Sequence, residues 1–108
     1  MSLPNSGEKR RGARCRVETM VNKYIGGYPY ACRLVNLSNG GMLVEKVSEP
    51  LHSSKAYPVE IGLPGTDDRV WAWAKQVGCS GKRQALKFMA IDPFDEILLN
   101  QYLRRKLR

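Results

Sequence analysis

Turn residues cut this chain into short pieces almost to its end, and that rhythm limits the folds open to it. Gly26-Gly27 with Pro29, Leu37-Ser38-Asn39-Gly40-Gly41, Pro64-Gly65-Thr66-Asp67-Asp68 and Gly78–Lys82 are all turn signals. Glycine reaches positive φ at little cost, and Asn, Asp and Ser side chains bond to nearby backbone. The pieces between them have strand length and strand chemistry. Cys15, Val17, Thr19 and Val21 alternate with Arg16, Glu18 and Met20, the period of a half-buried strand beginning near Arg14. Tyr30–Asn36, Met42–Val47, Tyr57–Leu63, Arg69–Val77 and Gln84–Ile91 are further β-prone runs, and Ser48–Lys55 reads as a loop. In Arg69–Val77, Val70, Ala72 and Ala74 share one side, with Trp71, Trp73, Lys75 and Val77 on the other. Many short strands with frequent turns point to a barrel or a sandwich.

Past Asp92 the period changes. Asp92 suits an N-cap, Pro93 the first helical position, and Asp95 and Glu96 the positive end of the helix dipole. Ile91, Phe94, Leu98 and Tyr102 recur at helical spacing, and Arg104, Arg105 and Lys106 fill the last turn. The spacing predicts a helix over 92–106 that lies against the barrel with that stripe inward.

A chain of 108 residues has the length of one domain. The expected division is a disordered lead-in over 1–7 and a single domain over 8–108, with a basic arm at 8–16. No apolar run reaches the ~18 residues of a membrane helix, and no signal peptide opens the chain, so a cytoplasmic protein without membrane insertion is expected. Cys15, Cys32 and Cys79 are odd in number and never form CxxC, which suits small buried or half-buried apolar residues better than disulfides or zinc. His52 is single and without an evident partner in the sequence. No P-loop, HExxH or nucleophile elbow occurs, so neither catalysis nor a metal or other cofactor is expected.

The net charge of +8 is unevenly placed. Lys9, Arg10, Arg11, Arg14 and Arg16 lie at one end and Arg104, Arg105, Lys106 and Arg108 at the other, half of the 18 basic residues. The body between is neutral. Such a distribution suits an arm that meets a concentrated anion. The nucleic-acid alternative needs aromatic and basic residues interleaved on one face. It is not favoured by this pattern, and no nucleic-acid partner is expected.

Two motifs carry the chemistry: RxxxR at Arg10–Arg14, with Arg11 inside it, and NxSxxG at Asn36, Ser38 and Gly41. An arginine fork bonds two acceptors in one plane, which suits phosphate oxygens and the O6/N7 edge of guanine. A carboxamide, a hydroxyl and paired glycines offer donors, acceptors and close backbone approach. In this order and spacing the motifs resemble those of the PilZ domains. The stretch Leu86-Lys87-Phe88 into the Asp92 helix is similar to the family's last strand and closing helix, although Lys87 stands where glycine is frequent. The resemblance implies a six-stranded antiparallel β-barrel with a C-terminal α-helix that binds the bacterial second messenger cyclic di-GMP. It also implies that Arg10 and Arg14 meet guanine edges and phosphates with Arg11 able to help, Asn36 a guanine edge, and Ser38 a phosphate or base, with Gly41 permitting close approach. Trp73 sits where some members place an aromatic near the ligand, whereas a core tryptophan is the default for a barrel. The expected output is a ligand-ordered arm that alters contacts with a downstream protein. A PilZ-like adaptor that binds no nucleotide is the alternative.

Overall fold

The computed structural model describes residues 19–106. Six strands, β1 (Met20–Ile25), β2 (Tyr28–Leu37), β3 (Gly41–Lys46), β4 (Ala56–Gly62), β5 (Arg69–Ser80) and β6 (Arg83–Ile91), precede helix α1 (Pro93–Lys106). Every strand pair is antiparallel, and the order β1-β2-β3-β6-β5-β4 closes into a barrel. Closure is what a set of short alternating strands requires, because it leaves no sheet edge unpaired. The lead-in 1–7, the arm 8–16 with Arg10, Arg11 and Arg14, and Cys15 and Val17 lie outside the described residues.

Alternation decides which side chains fill the barrel. Val21 and Ile25 of β1, Tyr57, Val59 and Ile61 of β4, and Val70, Ala72 and Ala74 of β5 are buried in one core. Burying a single valine or isoleucine side chain stabilises by roughly 1.5–3 kcal/mol, so this interior is the main source of stability. Gly26 and Gly27 both take positive φ, 64° and 86°, as the tight turn between β1 and β2 demands.

Several expectations need correction. The first described strand ends at Ile25, before Gly26-Gly27 as expected, but its inward series Val21, Lys23, Ile25 includes a lysine. β5 continues through Gly78 to Ser80, which shortens the expected 78–82 turn to Gly81-Lys82, because two bulges in the β5–β6 pair absorb the irregular residues. Trp73 is not in the core: it lies on the outer wall at 47% exposure, since its neighbours Ala72 and Ala74 take the inward side. Cys32 is buried as expected, whereas Cys79, near the exposed end of β5, is not.

The helix begins as its sequence dictates, with Asp92 Oδ1 accepting the Phe94 N–H at 2.9 Å. Its buried residues are Leu99 and Tyr102, with Leu98 and Leu103 half-buried against the core. Of the expected stripe, Ile91 and Leu98 pack against the core and Tyr102 is buried, whereas Phe94 is 79% exposed. At this first turn Asp95 meets β5 instead, its Oδ2 accepting the Trp71 N–H at 3.0 Å.

In an all-antiparallel barrel the connections alternate between ends. The entry to β1, the β2–β3 turn, the β4–β5 turn and the β6–α1 junction therefore share one rim. The β1–β2 and β5–β6 turns and the 47–55 loop share the other.

Candidate functional site

On the α1 rim, a β-bulge falls between Leu34 and Asn36, with Val35 as the extra residue. Bulges bend a strand and re-aim its side chains. Beyond it Asn36 is exposed, its Oδ1 accepting the Leu37 N–H at 2.9 Å. The Ser38 hydroxyl donates to the Gly41 carbonyl at 3.2 Å and accepts the Gly40 N–H at 3.3 Å, while the Ser38 N–H donates to the same Gly41 carbonyl at 2.9 Å. The turn is thus held by its own side chains and backbone, with Asn36 exposed.

Gly41 is fixed by packing. A Cβ at that position would stand 2.2 Å from the Leu86 carbonyl oxygen, well inside any real contact, so the close approach of β3 to β6 requires glycine. The Phe88 N–H bonds the Gly40 carbonyl at 2.9 Å, tying the turn to β6 from the other side. Gly40 meets nothing within 4 Å.

The turn is the ridge between two concavities. On one side an open cleft of about 1500 Å³ runs between the end of β2 and α1, with Thr19, Asn36, Ser38 and Asn100 among its walls. It exceeds the ~300–1,000 Å³ of a drug-sized ligand site and has room for a larger polar molecule. Among its described walls Arg33, Arg104 and Lys106 are cationic and none is acidic. Arg33 is also bonded to Glu45 at 2.7 Å, and Lys106 stands 5.9 Å from the Tyr102 ring centroid. On the other side a shallower trough reaches from Ser38 and Gly41 to Lys87 and Val77.

The structure therefore brings Asn36, Ser38 and Gly41 together at one rim, beside Thr19, where the chain arrives from the arginine arm. Leu34 N–H bonds the Thr19 carbonyl at 2.9 Å, which fixes that arrival against the bulge. Sequence reasoning did not place Asn100, Arg104 and Lys106 at this rim. Strand parity was the available signal, since a helix after the sixth antiparallel strand returns to the end that holds the second connection.

A family model for the PilZ domain matches residues 8–105. The chain belongs to the PilZ domain family. No curated protein matches the sequence. PilZ domains are known as cyclic di-GMP binders and not as catalysts.

The opposite rim of this PilZ domain holds its other concentration of polar chemistry. Lys23 is fully buried, ion-paired with Glu49 of the 47–55 loop, and donates to Gln84 Oε1 at 2.7 Å. Gln84 in turn donates to Gln76 Oε1 at 2.7 Å. His52, which looked partnerless in the sequence, lies 3.0 Å from Glu49 Oε2 and edge-on to Tyr57, with ring centroids 6.1 Å apart. Burial alone would raise the Glu49 carboxyl, but hydrogen bonds with Lys23 and His52 hold it below its ordinary value of 4.5. Burial pushes the Cys32 thiol up to about 11 against the pull of Lys23, which leaves it a poor nucleophile. Tyr57 is pushed up to about 12 by burial, with the Glu49 charge adding to the effect. The network plugs the barrel: the loop is pinned over its mouth by a buried ion pair.

Proposed function

We propose that this PilZ domain is a receptor for cyclic di-GMP, which it binds between the RxxxR arm and the Asn36–Gly41 turn without chemical change to the ligand. One observation carries the reading. The barrel's parity sets Thr19 at the entry to β1, the NxSxxG turn and the cationic end of α1 around one cleft whose described walls hold no carboxylate. A dianionic ligand with two guanines needs that combination of cations and directional polar groups. Arg10, Arg11 and Arg14 would bond phosphates and guanine O6/N7 edges, the exposed Asn36 amide a guanine edge, and Ser38 a phosphate or base.

In this account the ligand bridges arm and barrel, and the ordered arm changes the surface offered to a downstream protein. Trp73, Met89, Phe94 and Ile97 are all more than 40% exposed on the adjacent elements β5, β6 and α1, and supply apolar surface for such a contact. The setting would be the cytoplasm of a bacterium, where cyclic di-GMP acts as messenger.

Calorimetric titration of cyclic di-GMP into the wild-type domain and into Arg10→Ala/Arg14→Ala tests this. Each charge-assisted arginine bond is worth roughly 1.5–3 kcal/mol, so losing two weakens binding by roughly 10²–10⁴-fold. GTP, cyclic GMP and a short oligonucleotide should give no comparable heat. A folded wild-type domain that gives none with cyclic di-GMP either is instead the nucleotide-free adaptor.

A further inference from the structure

Lys75 of β5 and Lys87 of β6 are directly opposed in the antiparallel ladder, and both are exposed on the outer wall. Like charges placed opposite each other destabilise a strand pair. Elsewhere on the strands the arginines are compensated: Arg69 faces Glu60 at 3.3 Å, and Arg33 and Arg83 both face Glu45. Among the described residues no carboxylate comes within ion-pair distance of Lys75 or Lys87. On its other side Lys87 is opposed to Gly41, which has no side chain to stand between the lysine and the Ser38 turn. The trough from Asn36 and Ser38 across Gly41 to Lys87 has no acidic residue among its described walls.

We propose that Lys87, assisted by Lys75, is a phosphate subsite on the outer wall of the barrel that takes one phosphodiester of the cyclic dinucleotide seated at the turn. The inference rests on the receptor reading above and adds residues that neither motif contains. A lysine ammonium is a compact charge with three rotatable donors, suited to a phosphodiester and less so to the planar edge of a base. Two of them opposed without a counter-charge make a site that an anion completes. The ligand then straddles the ridge, with α1 on one flank and the lysine pair on the other.

The test is calorimetry with cyclic di-GMP on wild type, Lys87→Gln, Lys75→Gln/Lys87→Gln and, as a more distant cation, Lys82→Gln from the β5–β6 turn on the opposite rim. Exposed ion pairs are individually weak, so the double variant should bind about tenfold more weakly and Lys82→Gln within about twofold of wild type. Thermal melts of the free variants should show no loss of stability in the double variant, because a repulsion has been removed. Wild-type binding with an unchanged double variant overturns the subsite and leaves the receptor reading intact. An equal loss in Lys82→Gln also overturns it, in favour of a diffuse charge effect. If the wild type fails to bind at all, the receptor reading falls and the subsite falls with it.

Discussion

Replacing Glu49 by Gln tests whether the barrel's plugged mouth carries the stability that its geometry implies. The substitution keeps the size of the side chain and one carbonyl acceptor, and removes the charge. Lys23 is fully buried and the Glu49 side chain is 9% exposed, so solvent cannot take over from the lost carboxylate. The lysine ammonium would keep Gln84 Oε1 at 2.7 Å, and His52 would lose its charged partner. Breaking a buried pair by removing one charge costs about 3–5 kcal/mol, because the other charge is left uncompensated. Against a total stability of about 5–15 kcal/mol that is a large fraction. With about 4–8 °C of Tm per kcal/mol for a domain of this size, even the lower figure means a fall of at least about 12 °C. Urea and thermal melts followed by circular dichroism would measure it. The double variant Lys23→Met/Glu49→Leu should recover most of the loss, since replacing both charges with apolar groups of similar volume is often neutral or better. A cost below about 1 kcal/mol for Glu49→Gln, or a double variant worse than either single, would refute the buried-pair reasoning.

Other expectations follow from the same contacts. Gly41→Ala should lose about 1–3 kcal/mol in urea melts, since its Cβ would collide with the Leu86 carbonyl, whereas Gly40→Ala should stay within about 0.5 kcal/mol of wild type. Equal effects at the two glycines would refute the close-approach argument. Acid unfolding should depend on Glu49: with its folded pKa below the ordinary 4.5, its contribution is fully present above 4.5 and is lost as pH falls through the lower folded value. Stability measured from pH 6 to pH 3 should therefore drop more steeply in wild type than in Glu49→Gln, and parallel curves would contradict this. Asp95→Ala should loosen the docking of α1 by removing the acceptor of the Trp71 N–H, seen as faster hydrogen exchange at Trp71 and along the helix.

Much of the barrel was legible because period two is a direct consequence of strand geometry, and β5 shows it plainly, with Val70, Ala72 and Ala74 inward and Trp71, Trp73 and Lys75 outward. The same alternation, followed consistently, would have kept Trp73 out of the core; the general preference of tryptophan for interiors is weaker than the parity of its own strand. The 36–41 turn was legible for a related reason, since Asn, Ser and paired glycines have few other uses between two strands. Lys23 was not, because its partners Glu49 and Gln84 are 26 and 61 residues away and only the closed barrel brings them together. On the helix the expected stripe failed only at Phe94, which hydrophobicity alone selected, while its neighbour Asp95 makes the contact with β5 by accepting the Trp71 N–H. The rim shared by the turn and Arg104 was recoverable only by counting strands, which a reading of local segments does not do.

The central claim, that cyclic di-GMP is held at the α1 rim by the Asn36–Gly41 turn, is tested most directly by backbone amide NMR shifts of the free and ligand-saturated domain. The account predicts perturbations at Thr19, Asn36–Gly41 and Lys87, with the 47–55 loop at the opposite rim unchanged. Saturating ligand that leaves the turn unperturbed, or that shifts the 47–55 loop in its place, would contradict it.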